Sequence, residues 1–109
     1  MKDIEEITLA LINFRNERDW EQFHNSKDLA LAISIESAEL LEAFLWKDPD
    51  QVSPEKIKEE LADVIGYAFL LAHKHKFDVK QIVLEKIQVN AQKYPTEKAK
   101  GSAKKYDEL

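Results

Sequence analysis

Two stretches of this chain are apolar on nearly every side. Residues 29–46 hold 13 apolar residues in 18, and residues 61–72 hold 10 in 12. Between them, Pro49 and Pro54 interrupt any continuous helix, so Lys47-Asp48-Pro49-Asp50-Gln51-Val52 reads as a turn. A helix in a small bundle needs an apolar stripe of only about 100°. Helices apolar all round must be covered on several sides, which four helices of one short chain cannot readily do. The second and third helices are therefore expected to pack against another copy as well, as a homo-oligomer. The other reading is a monomer with an unusually apolar core.

Glycine usage narrows the fold further. Only Gly66 and Gly101 are present, where average usage would give roughly 8. Phosphate-binding glycine loops need at least two closely spaced glycines, and an all-β fold needs many tight turns. Both are excluded. Ile4, Ile7, Leu11 and Phe14 recur every three to four residues, which predicts a first helix over 3–18. Ser26 is the expected cap of a second helix running to about Trp46, and Ser53 with Pro54 opens a third running to about His75. Asp78 caps a fourth, ending at Tyr94 before Pro95. The expectation is an all-α, four-helix antiparallel bundle over residues 1–95, followed by a polar, Lys-rich tail over 96–109.

Charge and composition bound the partners. A net charge of −5 disfavours nucleic acid, and no apolar run approaches the ~20 residues that span a bilayer. Zero Cys excludes disulfides, thiolate zinc sites and a cysteine nucleophile. With an N-terminus unlike a signal peptide, the expected location is the cytoplasm.

Acids sit inside the apolar stretches. Glu36 and Glu39 lie three apart on the second helix, Glu60 and Asp63 three apart on the third, and both cross-helix offsets are 24 residues. If the two helices fold antiparallel about the proline turn, Glu39 and Glu60 both lie roughly 10 Å from it, at ~1.5 Å rise per residue. Glu36 and Asp63 both lie about 14–15 Å away. The four carboxylates come level. Like charges ~4 Å apart repel by roughly 4 kcal/mol at an effective dielectric of 20, so protons or a cation must neutralise them. All-oxygen donors without Cys or a suitably spaced His favour Mg²⁺ or Mn²⁺ over zinc or copper, and the ExxH half of a di-iron site is missing. A single such pair is usually a solvated face; two pairs in register inside apolar runs are not.

A hard-cation site without a phosphate loop suits a substrate that brings its own phosphates. Lys86, Asn90 and Lys93 on the fourth helix are candidates for phosphate oxygens, against the plainer reading of solvated charges. Trp20, Phe23, Trp46 and Tyr67 are candidates for a stacking wall, against core or interface packing. His24 reads as a hydrogen-bonding pocket residue. His73 and His75 point to different sides of their helix and make a poor metal pair.

These residues carry a resemblance. Glu36-x-x-Glu39, a 20-residue gap and Glu60-x-x-Asp63 resemble the signature of the MazG-like, all-α nucleoside triphosphate pyrophosphohydrolases. Glu17-Arg18-Asp19-Trp20-Glu21-Gln22-Phe23-His24, Glu59-Glu60-Leu61-Ala62-Asp63-Val64, Asn90 with Lys93-Tyr94-Pro95, and Lys105-Tyr106 resemble its dCTP pyrophosphatase branch. The chain departs at Ile35, where many members carry a further Glu, and at Ala38, where Gly is common. The resemblance implies hydrolysis between the α and β phosphates, giving a monophosphate and pyrophosphate, as nucleotide-pool house-cleaning. It implies Mg²⁺ held by Glu36, Glu39, Glu60 and Asp63, one of which, or a water they hold, would activate the nucleophile. It assigns Trp20, His24, Trp46 and Tyr67 to the base and sugar, Lys86 and Asn90 to the phosphates, and a dimer or tetramer as the assembly. Three alternatives stay open: a non-catalytic helical interaction module, a hydrolase of different base preference, and a phosphatase releasing orthophosphate.

Overall fold

A computed structural model describes residues 2–109, and every regular element among them is helical. The long helices are α1 (Lys2–Glu17), α2 (Ser26–Glu42), α3 (Pro54–Lys74) and α4 (Val79–Lys93), with a short α5 (Thr96–Ala99). Single 3-10 turns occupy Glu21–Phe23, Pro49–Gln51 and Tyr106–Glu108. No described helix is long and apolar enough to cross a membrane.

The caps explain most boundaries. Ser53 Oγ accepts the Lys56 amide at 3.1 Å and Asp78 Oδ1 accepts the Gln81 amide at 2.9 Å, as expected. At α2 the expectation was one residue late. Asn25 is the cap, its Oδ1 accepting the Asp28 amide at 2.8 Å. Ser26 instead places its hydroxyl 2.8 Å from His75 Nε2, tying the start of α2 to the end of α3. That bond, with the Pro49–Gln51 turn at the opposite end, makes α2 and α3 an antiparallel hairpin.

Helix α2 also ends earlier than the expected Trp46, at Glu42. The chain does not straighten there: Phe44 and Leu45 amides bond to Leu41 and Glu42 carbonyls at 2.9 and 3.2 Å. The backbone thus tightens into i→i+3 turns and keeps climbing in the same direction. With so few glycines, left-handed backbone falls to residues that pay for a Cβ: Asp19 (φ 55°), Trp46 (φ 63°) and Lys76 (φ 59°). Each follows the end of a helix.

The chain forms two compact units, one ending at Lys76 and the other spanning Phe77–Leu109. In the first, Leu29, Ala43, Val52, Leu70 and Ala72 are the buried apolar residues. That is a small core for helices this apolar, and Leu31, Ile35, Leu41, Leu45, Leu61 and Ile65 are left substantially exposed. In the second, the polar, Lys-rich stretch after residue 95 carries local structure. Pro95 precedes α5, and Tyr106 meets the Tyr94 ring edge-on at 6.2 Å, with Lys93 Nζ 4.9 Å from its centroid. Two tyrosines twelve residues apart supply the apolar contact that a Lys-rich composition conceals.

Candidate catalytic site

The hairpin brings acids together. One carboxylate oxygen each from Glu36 on α2 and Glu60 and Asp63 on α3 lie within 4.8 Å of one another. Glu39, the fourth expected member, lies outside that trio and hydrogen-bonds Glu36. The register survives the early end of α2 because the tight turns after Glu42 preserve much of the helical rise.

The electrostatics are those of a crowded, only partly neutralised cluster. The Glu36 carboxyl is pushed up to about 7, first by proton sharing with Glu39, then by burial, then by repulsion from Glu39, Asp63 and Glu60. Glu60 is 8% exposed, with Oε1 2.9 Å from Lys56 Nζ. Glu36 Oε2 and Glu60 Oε2 are buried with no hydrogen-bond donor. A buried anionic oxygen without a donor is costly. Two of them, converging with Asp63, fit a hard divalent cation on donor chemistry alone.

Beside the cluster lies a cavity of about 150 Å³ between α1, α3 and the two residues Trp20 and His24 that flank the 3-10 turn, lined by Arg15, Asp63, Gly66 and Tyr67 among others. Asp63 thus belongs to both regions. At Gly66 a Cβ would stand 3.4 Å from Leu11 Cδ2, an ordinary van der Waals contact, which places α1 against α3 at this point. Trp20 packs edge-on to Phe14 at 5.7 Å, and His24 edge-on to Tyr67 at 6.4 Å. Burial and the Arg15 guanidinium hold His24 below its ordinary value, partly offset by Glu21, so the ring is neutral at pH 7. Burial, then Glu36, Asp63 and Glu39, push the Tyr67 phenol up, which keeps it protonated. Arg15, 8% exposed, pairs with Glu21 Oε2 at 3.2 Å and fixes the cavity's outer wall.

The remaining expected site residues are described each within its own unit. Trp46 is 97% exposed and does not line the cavity; Phe23 is exposed too. Lys86 and Asn90 share one face of α4 with Ile82, Val83 and Ile87, and Lys93 is engaged with Tyr106. Sequence reasoning missed Arg15, Gly66 and Lys56. Only Lys56 carried a local signal, one helical turn before Glu60.

An all-helical fold with paired acids on a helical hairpin and an adjoining aromatic cavity defines a class. The chain belongs to the MazG-like family, whose profile matches residues 31–109. It is similar to the dCTP pyrophosphatase 1 of Mus musculus (39% identical) and of Homo sapiens (38%), each over 97% of this chain and 67% of the relative. Among solved structures it is similar to a pyrophosphatase from Archaeoglobus fulgidus, with TM-score 0.77 and 37% identity over 84% of this chain and 91% of that one.

Proposed function

We propose that this nucleoside triphosphate pyrophosphatase hydrolyses the α–β phosphate bond of a pyrimidine deoxynucleotide such as dCTP, with Mg²⁺ or Mn²⁺ as cofactor, as a homo-oligomer. The observation that carries the reading is the adjacency of the two regions, with Asp63 common to both. A base seated in the cavity puts its phosphates next to the acids.

The volume speaks to the base. A cavity of about 150 Å³ is the size that accepts a single benzene ring. A one-ring pyrimidine matches that volume more closely than a two-ring purine does. Trp20 and Tyr67 are its aromatic walls, and neutral His24 its hydrogen-bonding group.

Glu36, Glu60 and Asp63, with Glu39 behind Glu36, would hold the cation. When bound, the cation would supply positive charge that offsets the charge developing on the phosphate oxygens. The carboxylates orient a water in line with one phosphorus, and one of them takes its proton as the P–O bond breaks. The reading assigns Lys86, Asn90 and Lys93 to the phosphates on their chemistry and the family resemblance alone.

The oligomer follows from exposed apolar surface. Leu41 at 63% and Ile35 at 57% are solvent-facing in a single chain, on helices that are apolar nearly all round. Trp46, bare and on left-handed backbone, keeps its role in the reading as a ring covered by a second copy.

The test is a panel of common and modified deoxynucleoside triphosphates with Mg²⁺, with products resolved by phosphorus NMR. Pyrophosphate and a monophosphate, from pyrimidines over purines and abolished by EDTA, are expected. Orthophosphate as first product refutes the bond assignment; equal purine turnover refutes the base assignment. Light scattering that finds a monomer at micromolar concentration refutes the oligomer.

A further inference from the structure

The cluster's anionic oxygens are not treated alike. Glu60 Oε1 is paired to Lys56 Nζ at 2.9 Å, while Glu60 Oε2 is buried and bare. Lys56 comes from the preceding turn of the same helix, and its side chain is half exposed. The ammonium therefore enters from the solvent edge while the carboxylate it meets is buried. Its environment extends beyond one partner: Glu60 chiefly, with Glu59 and Glu39, raises its affinity for its proton. Glu39 stands on the opposite helix, so Lys56 feels the cluster from both sides of the hairpin.

We propose that Lys56 is the cluster's own counter-ion, a tethered monovalent cation that neutralises Glu60 in the metal-free protein and competes with the divalent cation for the same field. This rests on the reading of the cluster as a cation site. The physical logic is direct. Four carboxylates with no cation are mutually repelled, and one ammonium on Glu60 relieves part of that repulsion. A half-exposed lysine pair is weak, since solvent screens it and its long side chain loses entropy in holding it, so Lys56 gives way when a divalent ion is available. Until then it raises the concentration of free cation needed to fill the site.

Competition and simple positioning differ in sign. If Lys56 merely oriented Glu60 for the metal, removing it would weaken cation binding. If it competes, removing its charge tightens binding. Mn²⁺ binding to the nucleotide-free protein, read from the electron paramagnetic resonance of free Mn²⁺, separates the two. Lys56→Met is expected to bind Mn²⁺ about three- to tenfold more tightly than wild type, the range a screened charge near the protein surface supports. Its metal-free Tm should fall, and its rise on adding Mn²⁺ should exceed that of wild type. Lys56→Arg, which keeps the charge, should stay within about twofold of wild type. Lys58→Met is the charge control, because Lys58 pairs loosely with Glu55 at 3.8 Å. An unchanged or weakened affinity in Lys56→Met overturns the proposal, and so does an equal tightening in Lys58→Met. Wild-type protein that takes up no Mn²⁺ removes the cation site itself, and this proposal with it.

Discussion

The acid cluster and the aromatic cavity touch at Asp63 but are built on opposite principles. The cluster is held by two long helices and is electrostatically uncomfortable: it has a carboxyl pushed up to about 7 and two buried oxygens without donors. The cavity is held partly by an irregular segment and is mostly uncharged, with a neutral imidazole whose buried Nδ1 has no partner, a protonated phenol and Arg15 paired to Glu21. The contrast suggests a division of labour. The charged region is relieved when positive charge reaches it, whereas the mostly uncharged region leaves one buried imidazole nitrogen, His24 Nδ1, without a partner. Lesions on the two sides should therefore separate turnover from affinity, and stability losses should not track activity losses.

The largest effect is expected at the shared residue. Asp63→Asn should lower kcat/KM by at least ~10²-fold, the scale seen when one group stabilising transition-state charge is lost. The same change should leave the metal-free Tm unchanged or raised, because it removes a repelling charge. A Tm lowered by several degrees would make Asp63 a satisfied structural group and erase the contrast. Next is Trp20→Ala on the cavity side. Base stacking is worth about 1–3 kcal/mol, so KM should rise roughly 5- to 150-fold with kcat nearly preserved. Loss of kcat with KM unchanged would mean that the ring acts on the chemistry instead.

The third test is a pH profile of the chelated protein. Folded Glu36 holds its proton to about 7 against an ordinary value of 4.5. Between those pH values the folded state binds more protons than the unfolded one, so stability falls as pH rises through this window. Glu36→Gln stays neutral. Its Tm should gain on wild type from about pH 4.5 to about pH 7 and hold that advantage above, and saturating Mg²⁺ at pH 8 should narrow the gap by stabilising the wild type. A constant difference across the window would show that Glu36 titrates normally. The smallest effect lies outside both regions. His75→Ala removes the bond to Ser26 at the far end of the hairpin and should cost about 0.5–1.5 kcal/mol by thermal or urea unfolding, with kcat/KM unchanged.

What could be read from the residues follows the same divide. Glu36, Glu60 and Asp63 were legible because helical rise is uniform. Even an end of α2 placed four residues late left the register intact, since the chain continued in tight turns. Tyr67 and Asp63, one turn apart, were legible for the same reason. Arg15 and Gly66 were not, because they join the cavity only when α1 packs against α3, roughly fifty residues away in the chain. Trp46 shows another limit: an aromatic in an apolar run suggests a wall, and in the single chain the ring is 97% exposed, so what covers it is not a matter of local sequence. The ordered Tyr94–Tyr106 contact was hidden by the lysines around it.

By itself, the order of amino acids determined the helices, the proline-marked reversal and the level at which the acids meet, because periodicity and capping are settled within a few neighbouring residues. Only the tertiary structure decided which carboxylate oxygens are bare and which side chains from α1 and α3 line the cavity beside them. Those outcomes depend on how distant surfaces exclude water from one another, and no short run of sequence encodes that.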